Sequence, residues 1–232
     1  MNFNKRIRVA KFVRWLLHLH YDIRTEGGEL LRDGKVHLLL PNHPAYIEPP
    51  MLCAEFAEVV LRPMADEVFF RKAYSRWALR LAGAIMVPDL PATSADNRET
   101  SAAKARALTD TALRALAEGE DLLFYPSGHV RYKPVESIGN RRLAYEVCRG
   151  LFAPENRQAY ANVRVILLQT TGLDDSLTSK QRTRPTWRRK VTMHFEDMTE
   201  RVCQWAQLER RAFNEQFEQW YNTPHSSRAR IQ

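Results

Sequence analysis

Several patterns are missing from this chain, and each absence closes a class of function. There are only three Cys, at 53, 148 and 203, far apart and with no CxxC pair. That excludes a disulfide framework and a thiolate metal cluster, and fits reduced thiols in packing roles. No stretch reaches the roughly 18 uninterrupted apolar residues of a bilayer-spanning helix. The opening run MNFNKRIRVAKFVRWLLHLHY carries Lys5, Arg6, Arg8, Lys11 and Arg14 inside its apolar positions, which a secretory h-region does not tolerate. Glycine is scarce, at 9, and neither it nor the 12 prolines cluster into a linker. No internal repeat or low-complexity segment is present.

What is present is globular. Hydrophobic residues make up 44% of 232, enough for one large domain with a core of its own. The formal charge of +8 calls for anionic partners: nucleic acid, anionic lipid or phosphorylated small molecules.

Residues 5–21 read as a basic amphipathic helix, with Trp15 and Tyr21 suited to a membrane interface. Such a helix either packs on the domain or lies in the headgroup layer with its cations on lipid phosphates. Short apolar strands are expected at 35–40, 61–64, 84–87, 121–125, 163–170 and 190–195. Helices are expected at 50–58, 67–82, 98–118, 140–153 and 199–221. This alternation predicts an α/β fold: a largely parallel central sheet flanked by helices, preceded by the N-terminal helix. The run KVHLLL shows little alternation, as in a strand buried on both faces. Ligands of such sheets bind beyond the carboxyl ends of strands, which draws attention to 41–48 and 125–131.

Pro41-Asn42-His43 ends the first strand, and Glu48 follows with four residues between it and His43. An imidazole can take a proton at neutral pH, and a carboxylate on its other nitrogen stabilises the cation that forms. The plain alternative is a His that caps the following helix.

LLLPNHPAYIEPP resembles the first motif of the glycerolipid (lysophosphatidic acid) acyltransferase family, Asn-His-x4-Asp after a strand. FYPSGHVR resembles that family's second signature, Phe-Pro-Glu-Gly-Thr-Arg. Gly83–Pro88 sits where the family has a Gly-led strand, and VRVILLQTTG resembles its last core strand. The resemblance spans residues 30–175. It departs in Glu48 for Asp, Ser127 for Glu, His129 for Thr and Val130 for Arg, with an Arg one place later at Arg131. Pro88-Asp89 stands where the family has an Arg.

The resemblance implies an acyltransferase domain over 26–232, its C-terminal helix starting near 199, behind a membrane-surface helix at 1–25. His43 is then the general base and Glu48 orients it. Asn42, Tyr125, Pro126, Ser127, Gly128, His129 and Arg131 line the substrate site, with Arg131, Arg141 or Arg142 on the acceptor's phosphate. The acyl chain comes from a thioester, acyl-coenzyme A or acyl-carrier protein, and goes to a hydroxyl of a lysophospholipid or related lipid. Backbone amides near Pro126–Gly128 are the expected oxyanion donors. No metal and no cofactor is required, and the enzyme is expected to be peripheral on the cytoplasmic side of a membrane.

Two other readings stay open. Ser127 could serve a serine esterase or thioesterase, although Tyr-Pro-Ser-Gly-His is not Gly-x-Ser-x-Gly. The chain could also bind lipid without turnover. The basic stretch 180–190 suits lipid, coenzyme A or an acidic carrier protein; no nucleic-acid motif accompanies it, so nucleic acid is not an expected partner. His18, His20, His37, His194 and His225 have no nameable partner in the sequence and are expected to be structural or solvent-exposed.

Overall fold

The computed structural model describes residues 3–87, 95–174, 176, 178–180 and 188–225. Residues 88–94, with Pro88-Asp89, lie outside these, as does the middle of the basic stretch, 181–187.

Helix α1 (Phe3–His20) leads into strand β1 (Tyr21–Glu26) and a 3-10 turn over Gly28–Arg32. Then follow β2 (Val36–Pro41), α2 (Glu48–Glu55), β3 (Arg62–Asp66), α3 (Glu67–Arg71), α4 (Ala73–Ala82) and β4 (Ile85–Val87). The second half holds α5 (Ala95–Ala117), β5 (Leu122–Leu123), α6 (Leu143–Leu151), β6 (Val163–Thr171), β7 (Arg189–Asp197), α7 (Thr199–Trp205) and α8 (Arg210–Asn222). The seven strands form one sheet in the order β1-β7-β6-β2-β5-β3-β4. The pairings from β6 through β4 are all parallel. β7 runs antiparallel to β6, and β1 runs parallel to β7. The expected α/β architecture is therefore present, with a reversed pair of strands at one edge.

Three local expectations fail for physical reasons. β1 was not expected: YDIRTE is mostly polar, and its outer half is exposed at the sheet edge, so it carries no apolar signature. Gly27 closes this strand in the left-handed region at φ 72; a Cβ there would run into the Phe195 carbonyl oxygen. The helix expected at 67–82 is two helices. Asp66 caps the first through the Val68 amide, and Lys72 between them is extended. The helix expected at 199–221 is likewise interrupted between Trp205 and Arg210.

The sheet is covered on both faces. Leu38 and Leu40 face one core with Val165, Leu167, Val147 and the α8 side chains Phe213 and Phe217. Leu39 faces the other with Ile166, Leu168, Met51, Leu52 and Leu17 of α1. A central strand with apolar neighbours above and below explains the unbroken run KVHLLL. α1 docks on α2 through a buried acid: Glu55 takes His18 Nε2 at 2.7 Å and Arg14 Nε at 3.1 Å. The same helix leaves Phe12, Trp15, Leu16 and Leu19 exposed. Among the described residues, no helix is long and apolar enough to cross a membrane.

Candidate active site

The segment after β2 is pinned before it turns into α2. The Asn42 side chain copies a strand's hydrogen-bond pattern: its Nδ2 donates to Thr170 O at 2.9 Å, and its Oδ1 accepts from Thr170 N at 2.7 Å. The Asn42 amide donates to Leu168 O at 3.0 Å. A buried Asn held on both sides fixes where the next residue emerges. Both polar atoms of the side chain are thereby committed to positioning.

His43 emerges at that point. Its amide donates to Glu136 Oε2 at 3.2 Å, and its carbonyl accepts from the Arg131 amide at 3.0 Å. The imidazole stacks on Tyr125, with centroids 3.9 Å apart and planes 22° apart. Tyr46 meets it edge-on at 6.3 Å. The ring is partly open to solvent.

Glu48 is fully buried and does not make the expected hydrogen bond to His43. Its Oε2 accepts from the Tyr125 hydroxyl, and its Oε1 accepts from Thr170 Oγ1 at 3.2 Å. His43 Nδ1 is buried without a hydrogen-bond partner. Tyr125 therefore joins the two: its hydroxyl holds the carboxyl group and its ring supports the imidazole. Glu has one more methylene than the family's Asp, and here it terminates on Tyr125.

Burial pushes the Glu48 carboxyl up to about 8; the Tyr125 and Thr170 hydroxyls only partly offset this, and Glu136 adds repulsion. Burial, together with the positive potential of His129 and Lys180, holds His43 down to about 3. The imidazole is thus neutral and able to accept a proton. One cause of its weak basicity is the Lys180 ammonium, which an anionic ligand would offset.

Ser127 is buried, and its hydroxyl donates to His129 O at 3.2 Å. His129 Nδ1 in turn lies 2.7 Å from Ser127 O. The described contacts assemble no Ser–His–acid set around Ser127, which removes the geometric basis for the esterase reading. Pro126 has no amide hydrogen, and the Gly128 amide closes a turn on Tyr125 O at 2.9 Å, so neither supplies the expected oxyanion donor.

Arg131 reaches the site by its backbone, not as a free cation. Its Nε and Nη2 donate to the two oxygens of Asp174 at 2.6 Å each, and Glu136 lies 3.8 Å away. A guanidinium held bidentately and mostly buried is a brace, so the expected phosphate contact is corrected. No described contact joins Arg141 or Arg142 to His43; both are exposed at the start of α6. Lys180 lies nearer, its Nζ 3.8 Å from the Tyr132 ring centre.

Glu136, Thr170 and Asp174 are the site residues that the sequence did not reveal. Glu136 bridges His43 to α8, its backbone exchanging two hydrogen bonds with the Asn222 side chain. Thr170 is the next-to-last residue of β6, the strand beside β2, and was findable once those strands were taken as neighbours. Glu136 and Asp174 sit in irregular segments and carry no sequence signal.

No protein-family model matches the chain, and no curated protein matches it in sequence. In fold it is similar to the crystal structure of the 1-acyl-sn-glycerophosphate (LPA) acyltransferase PlsC from Thermotoga maritima. The TM-score is 0.54 and the identity 15%, over 96% of this chain and 80% of that one. At that identity the likeness establishes architecture.

Proposed function

We propose that the protein is an acyltransferase that moves a fatty acyl group from a thioester to a hydroxyl of an anionic lysolipid at a membrane surface. One observation carries the reading most directly. The neutral His43 ring has a buried polar cluster on one side and exposed aromatic surface on the other, Tyr46 being 6.2 Å from Phe69. An amphiphile needs that combination: chemistry at the head, apolar surface for the chain. The fold of the Thermotoga acyltransferase and the His43–Glu48 spacing support the same chemistry.

In this mechanism His43 accepts the acceptor's hydroxyl proton as its oxygen attacks the thioester carbonyl. The tetrahedral intermediate collapses, the C–S bond breaks, and His43 returns the proton to the departing thiolate. The products are an ester and a free thiol, with no enzyme nucleophile. Tyr125 and Glu48 position the imidazole. An acceptor phosphate near Lys180 would weaken the positive potential on His43 and raise its basicity when substrate is bound. The exposed apolar residues of α1, with Arg8 and Lys11 on the same helix, suit a peripheral lipid contact.

The test is turnover of labelled acyl-coenzyme A and acyl-carrier protein on a lysolipid panel in vesicles. Diacyl product is expected from wild type. His43→Ala should lose about 10²–10⁴-fold with the fold intact by circular dichroism. An equally active variant ends the proposal.

A further inference from the structure

A second cluster of side chains lies apart from His43. Register places it: Glu26 of β1 pairs with His194 of β7, and His194 pairs with Gln169 of β6. Directly paired residues point to the same face, so these three side chains form a row across three strands. The face is the one that α8 covers. Gln169 Nε2 donates to Thr223 O at 3.3 Å and also to Tyr221 O at 2.5 Å, which holds the end of α8 over the row. His225, just beyond that helix, is thereby delivered to His194.

The result is two imidazoles and one carboxylate whose ligand atoms all lie within 4.8 Å of one another. The two rings are 3.4 Å apart between centroids, tighter than the roughly 4.5–7 Å of ordinary aromatic pairs. Glu26 Oε2 is 3.4 Å from His194 Nδ1, and Glu196 Oε2 is 3.9 Å from His194 Nε2. The cluster borders a cleft of about 420 Å³ that also touches Asn42 and Arg131.

We infer that Glu26, His194 and His225 form a binding site for zinc or a similar borderline divalent cation. Neutral imidazole and carboxylate suit that class, and ligand distances near 2 Å require only a small closing of the three atoms. Magnesium, which prefers oxygen ligands and an octahedral shell, is a poor match. The three ligands come from β1, β7 and the end of α8, so a bound ion joins the first strand to the last helix. An ion held by the folded chain and released on unfolding stabilises the fold by its binding free energy. The site uses no residue of the acyl-transfer mechanism, so it stands or falls separately.

The experiment is equilibrium dialysis of the whole protein, stripped with chelator, against zinc chloride, with magnesium chloride as control and metal measured per chain. The thermal midpoint is followed in parallel, and cobalt(II) is used as a coordination probe. One zinc per chain, a raised midpoint, and the intense visible bands of four-coordinate cobalt are expected. His225→Ala, at an exposed position that leaves the core intact, should weaken zinc at least tenfold. His194→Ala should do the same, and Glu26→Gln somewhat less. Failure to retain stoichiometric zinc overturns the inference. So does zinc retained equally by wild type, His194→Ala and His225→Ala, which would place the ion elsewhere.

Discussion

Two histidines bracket strand β2, and the chain puts them to opposite uses. His37, at the entry of the strand, is buried between carboxylates: Nε2 is 3.0 Å from Asp33 and Nδ1 is 3.0 Å from Asp121. Burial alone would lower its pKa, but the two acids outweigh it and raise it. Arg164 joins the group at 2.9 Å from Asp33. His43, just past the exit of the same strand, has no carboxylate on its ring, and burial with nearby cations holds it neutral. One imidazole fastens two acids and the other stays neutral, which the proposed function uses as its proton acceptor. The difference lies in what packs around each ring, since the residue type and the strand are the same.

The sharpest way to break this comparison is to exchange the effects. His43→Ala should remove acyl transfer by about 10²–10⁴-fold and shift the urea midpoint little. His37→Ala should do the reverse, costing on the order of 1–2 kcal/mol by emptying a buried ring site and removing its two hydrogen bonds, while activity per folded molecule persists. Should His37→Ala abolish turnover without loss of stability, the division of roles is wrong.

On the proposed function, lipid meets the exit end of β2 and the exposed face of α1, not the entry end. Phe69→Ser should weaken binding to anionic vesicles about tenfold through lost apolar burial, whereas Lys35→Ser at the entry end should change it little. Vesicle co-sedimentation measures both.

The pH dependence of stability follows from the raised groups. A raised His37 stabilises fully below its unfolded pKa of about 6.5 and loses that stabilisation as pH rises through the folded value. A raised Glu48 also binds its proton more tightly when folded, so stability falls between about 4.5 and about 8. Urea midpoints of wild type should therefore decline as pH rises from 5 to 8. Glu48→Gln should flatten the decline by about 1 kcal/mol per pH unit; an unchanged slope would mean that Glu48 is ionised throughout. The smallest effect is expected from Tyr125→Phe, which keeps the ring under His43 and removes the hydroxyl on Glu48. Turnover should fall about threefold to tenfold, far short of the His43→Ala loss.

Much of the architecture was legible because it rests on periodicity. KVHLLL and VRVILLQT announce central strands, since only a two-sided apolar environment permits such runs. β1 was hidden because an edge strand needs no apolar face, and the break at Lys72 because a single extended residue leaves no compositional trace. At the site, the sequence brought His43, Glu48 and Tyr125 to adjacent strand ends. It could not show that Tyr125 would stand between the other two, because that depends on the reach of a side chain across the β2–β5 junction. Arg131 misled for the same reason: Asp174, far along the chain, takes its charge.

The reversal of β7 has a consequence of its own. β6 ends at Thr171 and β7 begins at Arg189, so the chain leaves and re-enters the sheet at the same end as His43. The first residues after β6 already reach inward, with Asp174 on Arg131 and Thr178 O accepting the Tyr46 amide. A connection anchored in this way can be lengthened, shortened or recoloured in charge without shifting the register of a single strand. On the proposed function, substitutions in this connection change the molecules admitted while the residues around His43 stay as they are.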